Sequence, residues 1–170
     1  MQKLTEKQLD KAIAAAFCNP DFATWFLSHT KFAPNNSAYK WSRTNHPWSM
    51  VSLTVIDPET GELSTISKGS ETDIFVLFEH ADGQRIAIHI ENKLRAGAFT
   101  PQQPEFYHAR AKQWQNESKY GLYTDYEVVL IAPQEFYDRN KPECVKFDRF
   151  ISHEALAAHI PEFKALSHGS

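Results

Sequence analysis

Cysteine is scarce: the 170 residues hold two, Cys18 and Cys144, far apart and without CxxC spacing. Disulfide stapling and a CxxC-type zinc or redox site are therefore excluded as organising features. No apolar run approaches the roughly 20 residues a membrane span needs. The opening Met1-Gln2-Lys3-Leu4-Thr5 has no apolar signal region, so no membrane partner and a cytoplasmic location are expected. Positive charge is also in deficit, with a formal net charge of −3 and a pI near 6.2, so no global field draws the protein to nucleic acid. A local patch is the remaining route. From Lys93 to Lys119 the chain carries Lys93, Arg95, Arg110, Lys112 and Lys119 against Glu105 and Glu117. Charge alone reads that stretch equally as a solvated helix face.

What is present suits one folded domain spanning 1–170. Hydrophobic residues make up 42% and charged residues 23%, and twelve Phe and four Trp supply large groups for a single core. There are no internal repeats or low-complexity tracts.

Thr5 with Gln8 forms a capping-box start, and Leu9, Ile13, Ala16 and Phe17 recur at helical spacing, predicting a helix over 5–18. Asn19-Pro20-Asp21 breaks it and opens a second helix through Phe22, Trp25, Phe26 and Leu27. The polar, aromatic-bearing stretch from His29 to Pro47 has no readable period. Strands are predicted at Val51–Ile56 and from Leu63 through Ile66, joined as a hairpin by Asp57-Pro58-Glu59-Thr60-Gly61. Thr72–Glu79 and Arg85–Lys93 follow as antiparallel neighbours across Ala81-Asp82-Gly83-Gln84. A helix is predicted from Pro104 through Lys119. Glu127–Ile131 reads as a strand covered on both faces, a short strand is expected at Val145–Phe147, and a closing helix runs from Ser152 to Leu166 with Pro161 able to kink or end it. This order gives an α/β fold, a mixed central sheet flanked by helices.

Alternate side chains of a strand share a face, so His89, Glu91 and Lys93 project together. Asp73 lies in the preceding strand, and the intervening turn brings it towards that pair. Two neighbouring carboxylates repel, and a hard cation such as Mg²⁺ relieves that repulsion. Such a cation polarises a phosphoryl oxygen and acidifies water, while a lysine beside it stabilises developing negative charge. From spacing alone, Glu91 with Lys93 reads equally as an ion pair and Asp73 as a strand-entrance residue. A His-x-Glu pair at His89 and Glu91 is a weaker metal signal, since no second histidine lies at a compelling spacing.

Ser70-Glu71-Thr72-Asp73-Ile74, a turn, and then Ile88-His89-Ile90-Glu91-Asn92-Lys93 resemble the PD-(D/E)XK nuclease superfamily, with Glu91-Asn92-Lys93 as the (D/E)XK element. Gln103-Pro104-Glu105-Phe106-Tyr107 is similar to the QxxxY element of its RecB-like bacterial branches. The resemblance covers residues 50 to 131 and implies a restriction-endonuclease-like αβββαβ core. It further implies Asp73 and Glu91 as ligands of Mg²⁺ or Mn²⁺, with a backbone oxygen from Asn92, and Lys93 as the catalytic lysine. Gln103 and Tyr107 would support or contact substrate, and Arg95 of the basic stretch joins Tyr107 as a candidate substrate contact. Thr72 stands where many members carry proline. A further acid from the first helix is common in such proteins, and Glu6 and Asp10 both qualify. Glu71 reads as a supplementary ligand or a solvated strand-start residue. Tyr39, Lys40, Trp41, Arg43 and Trp48 form an aromatic and basic cluster able to stack bases or to pack.

The expected activity is therefore metal-dependent hydrolysis of nucleic acid, DNA foremost, in a defence, restriction or repair setting, with a protein partner or a homodimer supplying targeting. The alternative is a catalytically silent module of the same fold acting with a partner protein.

Overall fold

A computed structural model describes residues 4–33 and 36–167. Two helices open the chain, α1 (Glu6–Ala16) and α2 (Pro20–Leu27). Thr5 and Gln8 close the capping box on α1, and the Asn19 side chain accepts the Asp21 N–H at the start of α2.

The central sheet has five strands in the order β1 (Ala38–Arg43), β4 (Ile74–Glu79), β5 (Arg85–Asn92), β6 (Asp125–Ala132) and β7 (Arg149–Ser152). β1, β4 and β5 pair antiparallel, and β5, β6 and β7 pair parallel, so the sheet is mixed. Parallel neighbours need a crossover, and helix α3 (Gln103–Trp114) supplies it between β5 and β6. Alternation along β4 and β5 sorts the core into two layers. Ile74, Val76, Phe78, Ile88 and Ile90 meet Leu9, Ile13, Phe17 and Phe26 of the first two helices. Phe75, Leu77 and Ala87 meet Trp114, Tyr120 and Tyr123 on the other face. Cover on both sides explains the near-continuous apolar runs of β4 and β6.

Strands β2 (Trp48–Ile56) and β3 (Leu63–Glu71) form a separate two-stranded hairpin, in register from Trp48↔Glu71 to Ile56↔Leu63. At its tip Asp57 Oδ1 accepts the N–H groups of Glu59 and Thr60, both at 2.8 Å, and Gly61 takes φ 72°. It rests on α3, where Trp114 Nε1 donates to Ser49 Oγ at 2.7 Å.

Four expectations are corrected. The strand expected from Thr72 begins at Ile74, leaving Thr72 and Asp73 in the break between hairpin and sheet. Helix α3 stops at Trp114, and a 3₁₀ turn occupies Ser118–Tyr120. Val145–Phe147 is not a strand. After the helical segments α4 (Gln134–Arg139) and α5 (Lys141–Cys144), turn bonds from Lys146 N–H to Glu143 O and from Phe147 N–H to Cys144 O delay pairing until Asp148. The tail helix is split into α6 (His153–Leu156) and α7 (Pro161–Ser167), because Pro161 cannot donate within a continuous helix and instead opens the second one. Strand β1, inside the unreadable stretch, is an addition.

Among the described residues no helix is long and apolar enough to cross a membrane.

Candidate metal centre

The carboxylates gather where β5 ends and β4 begins. The β4–β5 register runs to Ile74↔Ile90, so Asp73 stands one step beyond, level with Glu91. Asp73 Oδ2 accepts the Asn92 backbone N–H at 2.9 Å. The Asp73 N–H donates to the Tyr107 hydroxyl at 3.1 Å, and that hydroxyl donates to the Ile90 carbonyl at 3.3 Å. Tyr107 is buried at 1% exposure. Its hydroxyl ties two strand ends together, where the resemblance implies a contact to substrate.

Thr72 accounts for the missing proline. Its hydroxyl accepts the Arg110 Nε–H at 2.8 Å and faces His89 Nδ1 at 3.2 Å, while its N–H donates to the Pro47 carbonyl at 3.0 Å. Proline would remove both the hydroxyl and the donor. Arg110 is fully buried, also donates to Ser70 Oγ, and stacks over the Tyr107 ring at 4.1 Å.

Glu91 Oε1 lies 2.6 Å from Lys93 Nζ and accepts the Gln103 side-chain amide at 2.7 Å. Gln103 reaches it because α3 starts there, after Gln102 at φ 52°, and its own Oε1 accepts the Thr100 N–H at 3.0 Å. Asp73, Glu91 and Lys93 are thus brought together as the spacing predicts, and Gln103 joins them where the resemblance implies.

Asp10 of α1 is fully buried, and its Oδ1 accepts the Asn92 side-chain amide at 2.8 Å. The Asn92 Oδ1 in turn meets His153 Nε2 at 3.0 Å. The Asn92 side chain is thereby turned to the α1 side of the sheet and spent on structure, leaving only its backbone carbonyl for the role expected of it. Glu6, half-buried one turn earlier, feels the charges of Lys93 and Glu91. Both first-helix candidates border the site.

His46 was not legible. It sits between β1 and β2 at φ 49°, and its Nδ1 lies 3.3 Å from Glu71 Oε1 and 3.6 Å from Asp73 Oδ1. Its Nε2 lies 3.6 Å from Asp10 Oδ2. One ligand atom each from His46, Glu71 and Asp73 falls within 4.8 Å of the others, a group able to hold a metal ion. Glu91, held by Lys93 and Gln103, lies outside that trio. Sequence offered no signal for His46: it comes from a loop with no period, 27 residues before Asp73.

The electrostatics are those of crowded acids. Burial, and then the charge of Glu91, hold the Asp73 carboxyl well above its ordinary value. Burial raises Asp10 from 3.8 to about 6 against the pull of its Asn92 bond. Asp10 Oδ2 and His46 Nε2 are buried without hydrogen-bond partners. Oxygen donors with one imidazole fit a divalent cation, the oxygens suiting Mg²⁺ or Mn²⁺ and the nitrogen favouring Mn²⁺ of the two.

Other candidates lie elsewhere. His89 is fully buried between Thr72 and Tyr123, at 3.2 and 3.1 Å, and burial holds it well below its usual value, so it is a neutral core residue. Arg95 pairs with Glu135 at 3.2 Å. The basic stretch forms no common face: Arg110 is buried, Lys93 pairs with Glu91 and Lys119 with Glu117. The aromatic cluster also divides. Tyr39 packs on Phe17 and Phe78, Trp41 packs on Phe75, Arg43 lies over Trp41, and Lys40 pairs with Glu79, while Trp48 stays 61% exposed.

Comparison with family models, with curated proteins and with solved structures finds no match to this chain.

Proposed function

We propose that the chain is a divalent-metal-dependent nuclease of PD-(D/E)XK type, hydrolysing phosphodiester bonds in nucleic acid, DNA foremost. The observation that carries this reading is the convergence of His46, Glu71 and Asp73 within 4.8 Å beside the Glu91–Lys93 pair at 2.6 Å. The order α1, α2, β1, β4, β5, α3, β6 also supports it, because with α2 and the β2–β3 hairpin set aside it reads αβββαβ.

Asp73, with His46 and Glu71, would hold Mg²⁺ or Mn²⁺, and Glu91 and Asp10 border the same space. The bound cation would supply Lewis acidity towards a phosphoryl oxygen and a lowered pKa for water. Lys93 places an ammonium beside the reacting phosphate, where it stabilises charge developing on the phosphoryl oxygens. Gln103 fixes the Glu91 carboxylate by its amide. Tyr107 fixes the Asp73 backbone. Without a cation, the acids would repel a phosphate backbone, so binding and cleavage should both depend on metal.

The test incubates purified protein with linear, circular and single-stranded DNA and with RNA, with and without Mg²⁺ or Mn²⁺, beside Lys93→Ala. Metal-dependent cleavage lost in the variant is expected. Metal-independent cleavage, or cleavage unchanged by the substitution, contradicts the reading.

A further inference from the structure

We propose that the cleft between the β2–β3 hairpin and the start of α3 is a subsite for an unstacked nucleotide of a single-stranded substrate, with Trp48 as its stacking platform and Lys68 as its phosphate contact. The inference rests on the nucleolytic reading and names the form of substrate that site takes.

The cleft holds about 480 Å³, within the range of small-ligand pockets, roughly 300–1,000 Å³. Glu71, a member of the acidic cluster, and Gln103, whose amide donates to Glu91, both line it, so a strand whose phosphate sits at the carboxylates continues directly into it. Trp48 is 61% exposed and pairs with no other ring among the described residues. By contrast Trp25, Trp41 and Trp114 each pack against another ring. The Trp48 indole crosses β3 over Gly69, where an added Cβ would stand 3.7 Å from the ring. Lys68 is in no ion pair among the described residues. Its Nζ lies 2.9 Å from the Pro101 carbonyl and 4.4 Å above the buried Phe106 ring.

An indole and an ammonium free of any acid partner, lining one cleft, form the combination that grips single-stranded nucleic acid, the ring for a base and the amine for a phosphate. A base inside a duplex is already stacked on its neighbours and cannot also stack on Trp48. The hairpin pairs with no strand of the central sheet.

The experiment measures binding by anisotropy of a short labelled single-stranded DNA and of its duplex, in Mn²⁺, with Lys93→Ala as the background so that turnover does not intervene. Adding Trp48→Ala should weaken single-strand binding about tenfold or more, Trp48→Phe should keep most of it, and Ile56→Ala at the far end of the hairpin should change nothing. Lys68→Ala should reduce the salt dependence by about one phosphate contact. Cleavage by the chain with Lys93 intact separates the two claims. If single strands are bound and cut equally well with Trp48→Ala, the subsite is overturned and the hydrolytic reading stands. If no nucleic acid is bound or cut, both are overturned.

Discussion

Asp73 Oδ2 accepts the backbone N–H of Asn92 at 2.9 Å, so the carboxylate at the entrance of β4 is held by the strand that carries Glu91 and leads into Lys93. One oxygen of Asp73 is fixed by protein, and the other, Oδ1, faces His46 at 3.6 Å. Asp73→Asn keeps the volume and an oxygen for the Asn92 N–H but removes the charge. Calorimetric titration with Mn²⁺ should lose the binding seen in the parent, with circular dichroism unchanged. Unaltered binding would place the cation elsewhere.

The imidazole of His46 gives the site a donor that favours Mn²⁺ over Mg²⁺. His46→Ala should therefore cost Mn²⁺ affinity about tenfold or more, the scale seen when groups beside a metal are removed, and cost Mg²⁺ affinity less. Parallel titrations with the two ions check this. Equal losses would mean that His46 acts only through its hydrogen bond to Glu71.

Asp10 sets a pH signature. Its rise from 3.8 to about 6 means that in metal-free protein its stabilising contribution is complete below about pH 4 and is lost as pH rises through about 6, on the order of 3 kcal/mol. His153, held down from 6.5 to about 4 by burial, runs the other way: its contribution is present above 6.5 and is lost as pH falls towards 4. The two overlap, so the contribution of Asp10 is isolated by comparison with Asp10→Asn. In EDTA, the Tm advantage of the variant should grow as pH is raised from 5 to 8. Adding Mn²⁺ at the upper end should stabilise the parent more than the variant. A pH-independent difference contradicts a buried, protonated Asp10.

Thr72 joins Arg110 and His89 through one hydroxyl. Thr72→Val leaves the buried guanidinium Nε–H without its acceptor, at a cost of about 1–3 kcal/mol. A fall in Tm of roughly 2–4 °C per kcal/mol follows for a chain of this size. Thermal denaturation measures it, and an unchanged Tm would show that the hydroxyl does not matter to Arg110.

Much of this site can be read from the sequence because it is built on period-two strands around a strong turn. Ile88, His89, Ile90, Glu91 and Asn92 alternate between two buried faces, and the Asp-Gly turn fixes the register that brings Asp73 level with Glu91. Gln103 is named only by the likeness to the QxxxY element, and the proline beside it marks the helix start that carries it. His46 was not legible, since a loop residue at φ 49° obeys no period. Strand β1 escaped notice for a related reason. It is a short sheet edge with a register shift between Tyr39 and Trp41 that sends the two partly covered rings to different faces, so its four-residue alternation marks no single buried face. The reading of Val145–Phe147 failed because Phe147 is buried from a turn, which satisfies the same apolar pattern as a short strand.

The most direct measurement is an anomalous difference map from crystals soaked in Mn²⁺. A peak is expected roughly 2.0–2.6 Å from Asp73 Oδ1 and from at least one of His46, Glu71 and Glu91, with Lys93 Nζ beside it. A fully ordered site with no peak there, or a peak bound only by residues away from β4 and β5, would contradict the proposed metal centre.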